Sequence, residues 1–209
     1  MKKLLAIICL SLTEPMLGGD NPSIQPLATF KQLPDTALTI IGSKLRPPEL
    51  LNFLPIISHP EDRKYVAEDY LHSHPQSNIL LDALKKNKVR AISAFAGALD
   101  NGAPFWPYQR DKQGNTPLIL AAQRGYASTV QTLLHRREKI NRRNYIGNTA
   151  LMSAIISGHP NIAELLIQEG ASVNGLNNAG LSAVKLAMQR PSIISSLIHL
   201  FWNGNSEIR

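Results

Sequence analysis

A stretch of sequence that returns every 33 residues constrains this 209-residue chain more than any other feature. The repeating units begin at Asp111, Asn144 and Asn177. Two of them align closely, as DKQGNTPLILAAQRGYASTVQTLLHRREKIN and NYIGNTALMSAIISGHPNIAELLIQEGASVN. A period of about 20 to 50 residues is typical of solenoids, in which each unit stacks on its neighbours because it cannot bury its apolar face alone. The sequence therefore predicts a row of stacked units.

Each unit has the pattern of two short helices joined by a turn. Thr116 and Thr149 stand where a hydroxyl would cap the first helix, and Pro117 suits the first helical position. Gly125 and Gly158 follow where a left-handed residue would end that helix. Leucine pairs then form the apolar face of the second helix, namely Leu133, Leu134, Leu165 and Leu166. We therefore expect an all-α fold.

These units resemble the ankyrin repeat. The residues that carry the resemblance are Gly114, Thr116, Pro117, Leu118, Ala121, Ala122, Gly125, Leu133, Leu134, Ile140 and Asn141 in one unit, and Gly147, Thr149, Leu151, Ala154, Gly158, His159, Leu165, Leu166, Gly170, Ala171, Val173 and Asn174 in the next. The resemblance implies an all-α ankyrin-repeat solenoid of helix-turn-helix units.

The resemblance continues in weaker form on both sides of these two units. After Asn177 the first helix is kept, but Pro191 replaces the glycine between the helices and the second helix looks shortened, which suits a terminal cap. Before Asp111, residues 79–104 have the spacing of a helix pair and are interpreted as a divergent first repeat. We therefore expect about four repeats, at residues 78–110, 111–143, 144–176 and 177–209.

Residues 20–77 differ in composition, because eight of the chain's 14 prolines fall there. Proline interrupts helices, so the segment is expected to break into short pieces, with a short helix from Pro48 through Leu54 and another helix from Pro60 through Leu71. Residues 39–41 are either a short strand or buried coil. We expect this Pro-rich arm to fold against the first repeat as a cap.

Residues 1–19 have the layout of a secretory signal peptide, with two lysines, an apolar run over 4–12 and a pair of glycines. The run is about half the length that a membrane-spanning helix needs, so no stable membrane insertion is expected. A lipid anchor at Cys9 and a buried N-terminal helix are the alternatives. Because Cys9 is the only cysteine, the processed chain would have no disulfide and no zinc-thiolate site. We expect export to a bacterial periplasm, or alternatively secretion.

The ankyrin resemblance implies protein binding without enzymatic activity, cofactor or metal. The family's contact positions on the hairpin fingertips and the concave helix face fall at Lys112, Gln113, Asn115, Gln123 and Arg124, at Tyr145, Ile146, Asn148, Ile156 and Ser157, and at Asn178, Ala179, Leu181, Gln189 and Arg190. Tyr145 and Ile146 are the strongest candidates, because aromatic and branched aliphatic side chains make good interface anchors. The alternative is that they pack on neighbouring hairpins.

A basic run beside this fingertip, residues 136–144, contains five basic side chains and one acidic one in a chain with a formal net charge of +7. It predicts a partner with an acidic surface and adds Arg142 and Arg143 to the candidate contacts. The alternative is a solvated loop of mixed charge. Nucleic acid is disfavoured as a partner, because no aromatic residues interleave these charges. Arg137 stands where the family has glycine.

Three weaker patterns remain. Ser182-x-x-Lys185 matches the S-x-x-K of penicillin-binding enzymes, but it falls at the start of the last repeat. His72 and His74 have the residue type of a metal site without helical spacing. The aromatic cluster at 105–108 is either a binding hot spot or a plug that fixes the arm. We expect a monomeric, non-enzymatic scaffold, either for an envelope complex such as a virulence secretion system or, as a secreted effector, for a host protein.

Overall fold

The computed structural model describes residues 44–57, 59–104, 109–136 and 138–203. Ten α-helices and one 3-10 helix lie wholly within these residues, which contain no strand. The α-helices are α1 (Pro47–Phe53), α2 (Pro60–Ser73), α3 (Ile79–Lys85), α4 (Val89–Asp100), α5 (Pro117–Arg124), α6 (Ala127–His135), α7 (Ala150–Ser157), α8 (Pro160–Gln168), α9 (Ala183–Met188) and α10 (Pro191–Asn203). The 3-10 helix Leu54–Ile56 follows α1.

Four predicted features lie outside the described residues. They are the leader at 1–19, the segment 39–41, the aromatic cluster at 105–108 and Arg137.

The helix boundaries inside the repeats follow from the residues that the repeat pattern contains. The side-chain oxygens of Thr116 and Thr149 each accept a backbone N–H at the start of α5 and α7, at 3.3 Å in both cases. Gly125 and Gly158 end these two helices with φ of +83°, a conformation that costs glycine little. The predicted capping and helix ends are therefore confirmed.

The helices pack in two rows. The first helices of the repeats, α3, α5, α7 and α9, contact one another in sequence, and the second helices, α4, α6, α8 and α10, do the same. One continuous hydrophobic core runs between the rows from Leu45 to Leu197. Small side chains such as Ala121, Ala122 and Ala154 are fully buried in it and allow the helices to approach closely. The prediction of an all-α repeat solenoid is confirmed.

The described part of the Pro-rich arm extends both rows at the N-terminal end. Helix α2 packs along α4, while α1 contacts α3. The buried face of α2 consists of Val66, Ala67, Tyr70 and Leu71. A Cβ atom on Gly97 of α4 would lie 3.2 Å from Cδ of Lys64, so the glycine gives the lysine stem room to cross α4. The two arm helices stand where a preceding repeat would stack.

The last repeat ends on a long helix, and the predicted shortening of its second helix is wrong. Helix α10 has 13 residues, whereas α6 and α8 have nine each. Pro191 is the first residue of α10. Because the first helical N–H has no partner within a helix, proline fits there and begins the helix instead of truncating it. Ile193 and Leu197 of α10 are buried, while Ile198 is exposed.

Three loops link the repeats, and we call them the first finger (residues 111–116), the second finger (144–149) and the third finger (177–182). Each closes through a backbone hydrogen bond between its first and fifth residues, of 2.9 to 3.0 Å. Each turn contains a glycine with positive φ, namely Gly114, Gly147 and Gly180. Such a backbone conformation favours glycine, which explains why this residue recurs at a period of 33.

Neighbouring fingers are joined to each other by asparagine side chains. Nδ2 of Asn144 donates to Oδ1 of Asn115 at 2.8 Å, and Nδ2 of Asn177 donates to Oδ1 of Asn148 at 2.8 Å. Backbone bonds run alongside, including the N–H of Tyr145 to the carbonyl of Gln113 at 3.0 Å. The three fingers therefore form one connected row, and their tips are held by hydrogen bonds at the base.

Candidate functional site

The tip of the second finger presents the largest apolar side chains among the fingers. Tyr145 is 65% exposed and Ile146 is 63% exposed. A Cβ atom on Gly114 would lie 2.6 Å from Cδ1 of Tyr145, so the tyrosine ring lies over the backbone of the first finger. One side of the tyrosine ring thus packs on the neighbouring finger, as the alternative interpretation of this residue expected. Most of the ring surface, and most of Ile146, faces solvent.

Arg143 was predicted to contact a partner, but its guanidinium is engaged within the fingers. Its Nε donates to the carbonyl of Gly147 at 3.0 Å, and its Nη2 donates to Oδ1 of Asn178 at 3.3 Å. Arg110, 33 residues earlier, makes the corresponding bond to the carbonyl of Gly114 at 3.0 Å. Arg143 therefore braces the second finger against the third, and the 33-residue spacing of the two arginines was the signal for this role.

Arg142 lies beside a buried carboxyl group that sequence reasoning missed. Glu138 is 4% exposed and accepts the N–H of Leu118 through Oε1 at 3.3 Å. Its Oε2 has no hydrogen-bond partner in the part of the chain that the structure describes. Burial raises the pKa of Glu138 to about 7, against the opposing effects of the Thr116 hydroxyl, the Leu118 N–H and the Arg142 charge. The sequence signal for this burial was Ala171, a small apolar residue that occupies the position of Glu138 one repeat later.

Two of the predicted contact positions are not on the surface. Asn115 and Asn148 are buried, and their side-chain oxygens accept the bonds that join the fingers. Asn178 is exposed, but its Nδ2 donates to the carbonyl of Tyr145 at 2.8 Å. These asparagines therefore hold the fingers together, and the family's contact positions overestimate how many side chains are available here.

The other predicted contact residues remain accessible. Lys112, Gln113 and Arg124 are exposed, and Ile156 of α7 is 38% exposed. Gln113, Arg124, Ile146 and Ile156 line one groove of about 570 Å³ between the first two fingers and the first-helix row. Lys85 at the end of α3 lines it too and was missed by the repeat pattern, because α3 belongs to the divergent repeat.

The two weak catalytic patterns have structural roles in the described part of the chain. The Ser182 hydroxyl accepts the N–H of Lys185 at 3.2 Å and so caps α9. Nδ1 of His72 lies 2.9 Å from the carbonyl of Glu68, and the His74 ring stacks on Tyr70 with centroids 4.4 Å apart. No group of three or more metal-ligating side chains converges within the described ranges.

A stack of paired helices with projecting fingers and a lateral groove defines a class of repeat proteins that present an extended binding surface. Residues 80–177 match the family model for ankyrin repeats, in three copies. The resemblance to ankyrin repeats inferred from the sequence is therefore confirmed for residues 80–177, which form ankyrin repeats. Ankyrin repeats mediate binding to other proteins, and the family is typically non-enzymatic. Searching the curated proteins gave no match. Of the helices in the described ranges, none has the length and apolarity that crossing a bilayer requires.

Proposed function

We propose that this chain is an exported, monomeric scaffold that binds another protein through its second finger. The observation that carries the proposal is the exposure of Tyr145 and Ile146, 65% and 63%, on a finger whose base is held by hydrogen bonds. Folding of the finger does not require either of these exposed side chains, because the finger is closed by its own backbone hydrogen bond and by Arg143. A partner would bury both side chains.

Two properties of this tip favour it as an interface centre. Tyrosine is enriched among the residues that dominate binding energies, and burying an aliphatic side chain of this size contributes about 1.5 to 3 kcal/mol when the burial is complete. Because Tyr145 already rests on Gly114, little side-chain freedom is lost when a partner covers it. The tip is thus preorganised for binding.

The partner that we propose has an acidic surface facing the fingers. Lys112 on the first finger and Lys139 before the second are exposed, whereas Asp111, the acidic residue among the described finger residues, is buried. Charges at the rim of an interface mainly accelerate association and orient the partner. We therefore assign the lysines to steering and the apolar tip to affinity.

The pattern of residues 1–19 supports export to a bacterial periplasm, where the scaffold would serve an envelope complex such as a secretion system. Cell fractionation with intact-mass measurement tests this localisation. A chain shortened by about 19 residues in the periplasmic fraction is expected. A full-length chain in the cytoplasm would refute export, and protein found in host cells would favour the effector alternative.

The binding surface is tested by quantitative capture from extracts of the source cells. The double variant Tyr145→Ser with Ile146→Ser should lose the proteins that the unmodified chain retains, with a nearly unchanged thermal midpoint. Tyr65→Ser is the matched control, because Tyr65 is half exposed but lies on α2, away from the fingers. Equal capture by all three proteins would remove the second finger from the proposal.

A further inference from the structure

The groove beneath the first two fingers has a composition that restricts what can bind there. Its wall is formed by the fingers, through residues such as Gln113 and Ile146, and its floor by α5 and α7, through residues such as Arg124 and Ile156. Lys85 closes the end towards α3. With about 570 Å³, the groove lies within the usual size range of ligand-binding clefts.

The charge available in the groove is positive. Among the described lining residues, Asp111 carries the one carboxylate. Its Oδ1 accepts the N–H groups of Gln113 and Asn115 at 2.8 Å, and its Oδ2 accepts the side-chain amide of Asn115 at 3.0 Å. Asp111 is also buried, so it is committed to closing the first finger. The cations that remain for a ligand are Lys85 and Arg124.

These two cations belong to neighbouring helix ends. Lys85 is the last residue of α3 and Arg124 the last of α5, and one guanidinium N–H of Arg124 donates to the Lys85 carbonyl at 3.0 Å. That bond fixes the arginine over the end of α3 and leaves most of its five N–H donors available. A carboxylate entering the groove would meet a positioned guanidinium beside an exposed ammonium group.

The rest of the groove offers an apolar contact and neutral hydrogen-bonding groups. Ile146 and Ile156 are both exposed in it, one from the wall and one from the floor. The side-chain amides of Gln113 and Gln123 are exposed, and each both donates and accepts hydrogen bonds. Groups of this kind pair with the N–H and C=O of an extended peptide without restricting its sequence.

We propose that this groove binds an extended segment of a partner protein in which an acidic side chain, held by Lys85 and Arg124, stands near an aliphatic side chain that packs on Ile146 and Ile156. The inference rests on the proposed function, because it specifies the partner of the same repeats. Unlike the prediction made from charge along the sequence, this inference places the contact with an acidic group in the groove, away from the basic run at 136–144.

Selection from a displayed library of short random peptides on the immobilised whole chain tests this inference. We expect enrichment of peptides that contain both Asp or Glu and Leu, Ile or Val. An enriched peptide is then labelled, and its binding to the chain is measured by fluorescence anisotropy. Lys85→Glu and Ile156→Ser should each weaken it by about tenfold or more. Replacing the peptide's acidic residue with lysine should restore part of the binding to Lys85→Glu.

Matched controls separate the groove from general effects. Lys86→Glu makes the same charge change one residue outside the groove lining, and Ile198→Ser removes an exposed isoleucine on α10. Both should bind the peptide as the unmodified chain does. Enriched peptides without acidic residues, no enrichment at all, or equal weakening by Lys85→Glu and Lys86→Glu would overturn the inference. If native capture still depends on Tyr145 in that case, the groove assignment fails while the proposed function stands.

Discussion

Replacing Glu138 by glutamine isolates the energetic effect of the buried carboxyl group at the junction of the second and third repeats. The amide keeps an oxygen for the N–H of Leu118, which now bonds to Oε1 at 3.3 Å, but it cannot ionise. The substitution therefore changes the charge at a site that is only 4% exposed, with little change in shape. Its effect on stability should depend on pH.

The sign and size of this pH dependence follow from the pKa of the Glu138 carboxyl group. In the folded chain Glu138 keeps its proton up to about pH 7, whereas in the unfolded chain it loses it near its ordinary pKa of 4.5. Between these pH values the folded state binds more protons, so the free energy of unfolding falls as pH rises and levels off above about 7. Because one pKa unit corresponds to about 1.4 kcal/mol, the total loss is about 3 kcal/mol.

Urea unfolding of the unmodified chain and Glu138→Gln at about pH 5 and about pH 8 measures this loss. Because pH 5 already lies above the unfolded pKa, the variant should gain about 2.5 kcal/mol relative to the unmodified chain between the two conditions, a shift of the urea midpoint of about 1.2 M for an m-value of about 2 kcal/mol per M. Glu169→Gln removes an exposed carboxyl and should differ by under about 0.5 kcal/mol at either pH. A pH-independent offset for Glu138→Gln would refute the argument from burial.

Two further substitutions test how the repeats are held. Gly125→Ala should lower the free energy of unfolding by about 2 kcal/mol or more, because φ is +83° and the new Cβ would lie 2.9 Å from the His159 ring. Gly170→Ala, with a similar φ and open space around the new Cβ, should lower it by about 1 kcal/mol. Equal losses in urea unfolding would contradict a steric contribution from His159. Arg143→Ala should lower the free energy of unfolding by about 1 to 2 kcal/mol through its two lost hydrogen bonds, and Lys139→Ala, at an exposed site, by under about 0.5 kcal/mol. If the two variants unfold alike, Arg143 does not brace the fingers.

The features that the sequence predicted well are those set by the local backbone. Thr116 and Thr149 cap helices, and Gly125 and Gly158 end them, because each role depends on a conformation within one turn of the chain. A second and third copy at a fixed period then determine the stacking, since equivalent faces must meet. The all-α solenoid could therefore be inferred without any knowledge of its contacts.

Two of the features that were missed depend on contacts between repeats. The 33-residue spacing between Arg110 and Arg143 is a signal for the bracing role, but it does not show that the Arg143 guanidinium reaches the third finger. Nothing near Asn148 indicates that its side-chain oxygen accepts a bond from Asn177. Pro191 replaces the glycine between the helices, a pattern from which a shortened second helix is predicted, although at a first helical position it begins α10. Burial of Glu138 depends on α5 of the same repeat, which precedes it by more than ten residues.

The basic run at 136–144 shows why charge counted along a sequence overstates the charge that a partner can reach. Arg136 donates through Nη2 to the carbonyl of Ala103 at 2.6 Å, Arg143 bonds to the neighbouring finger, and Arg142 acts on the pKa of Glu138. Among the described cations of the run, Lys139 is exposed and serves none of these internal roles. Most of the predicted acidic-partner surface is therefore committed to the fold.

The cations in the groove, unlike those of the basic run, are available to a partner. Lys85 and Arg124 lie 39 residues apart and form no basic run, yet the stacking of α3 on α5 brings them to one end of the same groove. The carboxylate in the groove lining, Asp111, is buried and accepts three hydrogen bonds from its own finger, and among the described residues it forms no ion pair with either cation. In a repeat protein the reachable charge is set by which helix ends become neighbours, and here that places recognition of an acidic segment in the groove.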